Sequence, residues 1–315
     1  MIDEGYVPVA EVVRSGFREG VHFGAVVVLG PDGAVTSALG DPAQLIYPRS
    51  AAKPMQAAGM VRLGLHLPDD LLALVCASHS GEPVHVAGVR RILAGCGLDD
   101  AALQNTPRLP GDRLAAREVV RSGLAEASVY ADCSGKHAGM LATCVHNGWP
   151  TDTYLDPAHP LQTALRADFE DATGEETDHV GVDGCGAPIW TCSLTGLARA
   201  FRAAVTQQPG EPLRAAADAM RRHPELVGGT DRDVTGFMQA VPGLLAKEGA
   251  EGVYAAALPD GSAVALKVSD GAHRAAQPAL AAALVRAGAD PAAVAPLAAV
   301  PVLGHGVSVG EVHAL

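Results

Sequence analysis

The chain has 315 residues, 48% of them apolar, 18% charged and only 4% aromatic, and carries a formal net charge of −12. That composition excludes a disordered chain, and the lack of a basic run with interleaved aromatics argues against a nucleic-acid surface and for a small-molecule ligand. At roughly 100 to 200 residues per domain the length suits one large domain or two interleaved ones, with a sizeable core filled by alanine rather than aromatics.

The N-terminal stretch "MIDEGYVPVAEVVRSGF" carries early acids and no apolar leader core, and no uninterrupted apolar run is long enough to span a bilayer. A cytoplasmic setting with no membrane follows as the expectation, in which the six cysteines (76, 96, 133, 144, 185 and 192) are thiols or ligands rather than disulfides. Residues 21–40 read as two strands around a Pro-Asp-Gly turn. From about 50 to 250 the pattern is helical, as in "DPAHPLQTALRADFEDATG", where Asp156 can cap and Gly174 stops a helix. A second hairpin, "GVYAAALPDGSAVALKV", repeats the Pro-Asp-Gly turn at 259–261. An alanine-rich helix at about 275–288 and a last strand near "HGVSVGEVHAL" complete the chain. Strands therefore come from both ends and helices from the middle. The predicted class is α/β (α+β): one antiparallel sheet of about five strands, with a sheet-bearing part at about 1–50 and 250–315 and a helical part at about 51–249.

Within "YPRSAAKPMQAAGM", residues 47–60, Ser50 has the chemistry of a helix N-cap. Capping leaves Lys53 unexplained. The first turn of a helix carries the positive end of its dipole, which disfavours a cation and pushes an amine toward its neutral, basic form. Pro54 marks the opening turn, since deeper in a helix its ring would clash. A serine and a lysine three apart share a face, so the amine can reach the hydroxyl and take its proton, the S-x-x-K pairing of nucleophile and base.

Other residues have both a plain and a chemical reading. Lys267 in "ALKVSDG" is either a solvated charge or the single cation on a site-facing edge. "CASHSGE", 76–82, places Ser78, His79 and Ser80 in a tight turn of the kind that turn chemistry alone produces. "DCSGKHAGM" and "VGVDGCGAP" each set one cysteine among glycines and polar residues, a setting for a thiolate or a metal ligand. Ligand chemistry alone selects Cys133, Cys185, His137 and Asp183. "GGTD", 228–231, reads as a loop, beside which Arg232 and Asp233 could hold a zwitterion by its two charges.

Taken together and in order, "YPRSAAKPMQ", "CASHSGE", "DCSGKHAGM", "VGVDGCGAP" and "ALKVSDG" resemble the asparaginase II family of the thermolabile, rhizobial type, over almost the whole chain. The resemblance implies a single domain over 1–315 with a serine β-lactamase-like fold, hydrolysis of L-asparagine to L-aspartate and ammonia, and a homodimer. It implies a Ser50–Lys53 pair and a second pair of Ser78 with Lys267, Ser80 being the alternative serine. It also implies zinc held by Cys133, Lys136 and Cys185, with His137 and Asp183 around them. Lysine binds zinc only as a free amine, so this set departs from the one ligand chemistry selects. On this reading Ser50 attacks the side-chain amide, and the backbone amides of Ser50 and of a residue just beyond Lys267, near Ser269, receive the oxyanion. Arg49, His79, Asp183 and Arg232 are the substrate-binding candidates, with Arg49 or Arg232 at the α-carboxylate. A β-lactam-binding or transpeptidase-like enzyme would use the same Ser50, Lys53 and Lys267, but the K-T-G strand signature reads Lys-Val-Ser at Lys267. A zinc-dependent amino-acid-binding protein would leave the serine–lysine pairs as caps and surface charges.

Overall fold

In a computed structural model, which describes residues 5–315, strands from both ends of the chain form one eight-stranded antiparallel sheet. Residues 1–4, where the reading of the N-terminal stretch begins, lie outside the described residues. The strands are β1 (Val7–Arg14), β2 (Phe17–Leu29) and β3 (Val35–Leu39) from the N-terminal end. Four short ones follow, β4 (Leu45–Ile46), β5 (Val180–Val182), β6 (Pro188–Trp190) and β7 (Cys192–Ser193). The C-terminal end supplies β8 (Leu245–Gly249), β9 (Val253–Ala257), β10 (Ala263–Val268), β11 (Ala299–Gly304) and β12 (Val307–Ala314). The main order is β11-β12-β1-β2-β10-β9-β8, with β3 paired to the end of β2, while β4–β7 and β5–β6 make two separate ladders.

Both Pro-Asp-Gly hairpins form where expected, as β2–β3 and β9–β10, with Gly33 at φ 86° and Gly261 at φ 95° supplying the left-handed turn residue. The sheet is larger than the five strands expected. The additional members are β1, β11 and β8, and the last of these moves residues 245–249 from the helical part to the sheet.

Ten helices lie between β4 and β8: α1 (Lys53–Arg62), α2 (Asp69–Val75), α3 (Pro83–Gly95), α4 (Arg113–Arg121), α5 (Ser134–Asn147), α6 (Pro160–Thr173), α7 (Leu194–Thr206), α8 (Pro212–Arg222), α9 (Pro224–Val227) and α10 (Asp233–Ala240). After β10 come α11 (His273–Arg286) and the short α12 (Pro291–Val294). Helix α6 ends at Gly174, φ 69°, as the sequence predicts, but His159 rather than Asp156 caps it, its Nδ1 accepting from the Leu161 amide. Helices α7 and α11 pack on the sheet, and α1 is buried from Lys53 to Met60 between α6 and α8. A helix buried on all sides is core, and α1 carries the lysine of the S-x-x-K pair into it. No helix among the described residues is long and apolar enough to cross a membrane.

The edge strand β8 abuts the 3₁₀ turn Arg49–Ala52 that leads into α1. Contact is close enough that a Cβ on Gly249 would lie 2.4 Å from the Pro48 carbonyl oxygen, so only glycine fits. This approach sets β8 beside the turn that carries Ser50.

Candidate active site

Ser50 caps nothing. The turn's N-cap is Pro48 and that of α1 is Ala52, and neither helix start has a side-chain cap bond. Arg49, just before it, sits at φ 53°, a left-handed conformation for a non-glycine residue. Such conformations cost about 1–3 kcal/mol and gather where a site needs them. The Arg49 Nε donates to Asp183 Oδ1 at 2.6 Å, which holds the turn in place. Ser50 is half-buried and lines a cleft enclosing about 490 Å³ up to its open mouth, together with Asp132, Cys133, Asp183, Cys185, Arg108 and Ala250.

Lys53 lies one 3₁₀ turn further on and is buried; in that geometry positions three apart are stacked on one side. Its Nζ donates to the Ala77 carbonyl at 2.6 Å and to Ser78 Oγ at 3.1 Å, and lies 3.8 Å from Asp132 Oδ2. The expected bond from Lys53 to the Ser50 hydroxyl is therefore not among the contacts of this amine. A second lysine closes the arrangement: Lys247 Nζ, from β8, donates to the same Ser78 Oγ at 2.8 Å and to the Glu248 carbonyl at 3.0 Å, with Glu248 Oε2 at 3.1 Å. Burial pushes Lys247 down to about 8, against the pull of the Glu248 carboxylate and with help from the Lys53 charge. Ser78 thus accepts from two buried amines and lies behind the cleft, whereas Ser50 opens onto it.

Lys267 is not part of this group. Its amine donates to the carbonyls of Glu251 and Val268, each at 2.6 Å, and it is the one partly exposed residue of β10. The pairing of Ser78 with Lys267 is corrected to Ser78 with Lys247. Lys247-Glu248-Gly249 is the K-x-G that was missing at Lys267, and it lies on the strand beside the S-x-x-K turn. The oxyanion donor expected near Ser269 is already engaged. The Ser269 amide is taken by the Phe23 carbonyl at 2.8 Å, whereas Ala250, just past the K-x-G, lines the cleft with Ser50.

The two glycine-rich loops meet as their chemistry suggests. Cys133 is the N-cap of α5 and Cys185 sits in the β5–β6 turn, and both belong to a small buried cluster with Ala131 and Ala187. One ligand atom each of Cys133, His137 and Cys185 lies within 4.8 Å of the others. The His137 Nε2 atom is buried with no hydrogen-bond partner, while its Nδ1 is held by the Tyr154 hydroxyl at 2.8 Å. Lys136, assigned to the metal, donates to Cys185 Sγ at 3.3 Å. A hydrogen bond from Cys133, then the Lys136 charge, hold the Cys185 thiol well below its usual range despite burial. The neighbouring Cys185 and burial raise Cys133, so of the two sulfurs Cys185 is the one favoured as thiolate. Burial alone would lower Lys136, but the negative charge at Cys185 and Cys133 outweighs it and the amine is raised. Two sulfurs and an imidazole nitrogen without a partner fit a zinc donor set, the Tyr154 bond fixing the ring as partners of metal-binding histidines do.

The remaining predicted site residues divide between the cleft wall and the framework. Arg49 and Asp183 line the cleft but are paired with each other. His79 is structural: Nδ1 accepts from the Gly81 amide at 3.1 Å, Nε2 faces Ser134 Oγ at 3.0 Å, and its substrate-binding role is withdrawn because both ring nitrogens are engaged inside the protein. Burial keeps that ring neutral. Ser80 donates to the Gly228 carbonyl at 2.9 Å, beside Gly229 of the "GGTD" loop, and contacts neither lysine. Arg232 is tied to Glu248 Oε1 at 3.2 Å and faces a different cleft, with His273 and Gln277, so it does not stand over Ser50. Sequence reasoning missed Lys247, the Ala250 amide, Asp132 and Arg108. Lys247 carried a local signal, the K-x-G itself, and Asp132 opens the "DCSGKHAGM" stretch.

Comparison with the curated proteins finds no match. Solved structures similar to the chain include a β-lactamase from Mycobacterium bovis (14% identity over 80% of this chain and 89% of that one, TM-score 0.36). They also include EstCE1, a hydrolase with promiscuous acyltransferase activity (13% identity, 85% and 90%, TM-score 0.37). SurE with D-Leu is a third (16% identity, 84% and 71%, TM-score 0.35). The family model described as L-asparaginase II matches residues 10–314, almost from end to end, and the chain belongs to that asparaginase II family of amidohydrolases.

Proposed function

We propose that this protein is an L-asparaginase that hydrolyses L-asparagine to L-aspartate and ammonia with Ser50 as nucleophile. The observation that carries the reading is the file of groups behind Ser50: Lys53 one turn beneath it, Ser78 bonded to Lys53, and Lys247 bonded to Ser78. Ser50 Oγ attacks the side-chain amide carbon and its proton passes to the Lys53 amine in its unprotonated form. Ser78 and Lys247 form a path by which that proton is exchanged and returned to the departing ammonia, and Lys247, held at about 8, can be unprotonated near neutral pH. General-base help of this kind contributes roughly 10²- to 10⁴-fold. Ser50 and Ala250 both line the cleft, and their backbone amides would receive the oxyanion, each such donor being worth about 3–4 kcal/mol. A water then cleaves the acyl-enzyme with the same lysines.

Cys133, Cys185 and His137 would hold zinc, with the Lys136 amine at Cys185 either stabilising the thiolate or, as a free amine, joining the ligands. Bound there, the ion would supply positive charge at the cleft wall that Cys133 and Cys185 form. The chain's own residues make the site: Tyr154 orients His137, and Arg49 fixes Asp183 in the turn that carries Cys185. The cytoplasmic homodimer belongs to this reading through the family resemblance. An ammonia-release assay with asparagine and glutamine, with and without a chelator and added zinc, tests it. Release from asparagine above glutamine is expected, and no release from either overturns it.

A further inference from the structure

We infer that Arg108 and Asp132 grip the two charges of the free amino acid, Arg108 its α-carboxylate and Asp132 its α-ammonium, and so select a free amino-acid amide over other amides; the inference rests on the amidohydrolase reading above. Both side chains line the cleft that Ser50 opens onto. Its other arginine, Arg49, is already occupied by Asp183. The Arg108 side chain, by contrast, has no hydrogen bond or ion pair among the described residues, yet its backbone is fixed: the Arg108 amide donates to the Ala127 carbonyl at 3.3 Å and its carbonyl accepts from the Ala127 amide at 3.1 Å. The segment before it is pinned as well, Asn105 Nδ2 donating to the Ser128 carbonyl at 2.8 Å and Thr106 Oγ1 to the Gly184 carbonyl at 3.0 Å. A guanidinium on a fixed backbone, with its planar fork unpaired, is prepared to take a carboxylate with two parallel bonds.

Asp132 supplies the opposite charge. Its carbonyl is anchored by the His79 amide at 3.1 Å, its side chain is 44% exposed, and its Oδ2 lies 3.8 Å from the Lys53 amine, beyond hydrogen-bond distance. The half-exposed carboxylate lines the cleft, where it can receive an ammonium. A substrate held with its carboxylate at Arg108 and its ammonium at Asp132 keeps its side-chain amide as the part left to meet Ser50.

The test uses three amides on the purified full-length protein: L-asparagine, succinamate, which lacks the ammonium, and 3-aminopropanamide, which lacks the carboxylate. Arg108→Ala should lower kcat/KM about 10- to 100-fold for asparagine and succinamate while 3-aminopropanamide changes less than about twofold, and Arg108→Lys should recover part of the loss. Asp132→Asn should show the mirror pattern, sparing succinamate. Equal losses on all three substrates, or none, overturn the inference. Calorimetric titration with L-aspartate separates its failure from that of the amidohydrolase reading. If the wild-type protein releases no ammonia but binds aspartate in an Arg108-dependent way, recognition stands and the reaction assignment falls. If it binds no aspartate, the inference falls as well.

Discussion

Two strands of one sheet each carry a lysine, and the two amines have different surroundings. On β10, Lys267 reaches two backbone carbonyls at the protein's surface. On β8, Lys247 is fully buried and meets the hydroxyl of Ser78, which Lys53 reaches from the other side. Burial lowers both amines, but only Lys247 is set beside a second buried lysine and a serine. The difference comes from what borders each strand. β10 lies inside the sheet between β2 and β9, whereas β8 is its edge and presses on the turn that starts α1. A lysine becomes a candidate base here through the element beside its strand.

That contrast can be broken most severely at the nucleophile. Ser50→Ala should lower kcat by about 10⁴-fold or more, as loss of a serine nucleophile does elsewhere, while Ser80→Ala should leave ammonia release nearly intact. A large loss in Ser80→Ala with activity retained in Ser50→Ala would reverse the assignment. Next in size, Lys247→Ala should lower kcat roughly 10²- to 10⁴-fold, against a change of about threefold or less for Lys267→Ala. Similar losses in the two variants would erase the distinction between the strands.

The pH profile sharpens the comparison further. If Lys247 must be unprotonated, kcat/KM rises with pH and levels off above about 8. Lys267→Ala should keep that limb and Lys247→Ala should lose it. The smallest effect is on stability. The folded protein holds Lys247 below its ordinary value of 10.5, so the unfolded chain binds the extra proton between about 8 and 10.5 and stability rises with pH across that window. Below about 8 the folded state bears the full cost of the buried charge. Lys247→Met removes it, so its stability relative to the parent should be about 1–3 kcal/mol more favourable at pH 7 than at pH 10.5 in chemical denaturation. A difference that does not vary with pH would mean that this amine is not titrating where its burial puts it.

Much of this was legible before any coordinates. The Pro-Asp-Gly hairpins announce themselves because only turn chemistry explains those residues between apolar runs, and the S-x-x-K turn stands out because a cation in a first helical turn is unfavourable. Cys133 and Cys185 attract notice as thiols among glycines. What stays hidden depends on pairing across the chain. "LLAKEGAEG" has charged residues at the centre of a strand, so β8 is invisible until β9 pairs with it, Lys247 opposite Ala255 and Glu248 opposite Tyr254. Lys267 follows a clearer strand pattern, and the family resemblance falls on it through "ALKVSDG". His79 lies between two candidate serines in a promising motif, but its hydrogen bonds all turn inward. Arg108 comes from a segment with no motif, and Asp132, though it opens "DCSGKHAGM", is overshadowed there by Cys133 and Lys136; the two meet only at the cleft.

The most direct test of the account is to trap the covalent intermediate. Rapid acid quench during turnover of L-asparagine, followed by peptide mass mapping, should find a β-aspartyl ester on Ser50, and more of it in Lys247→Ala if deacylation slows more than acylation. An ester on Ser78 instead, or turnover with no ester on any serine, would contradict the account.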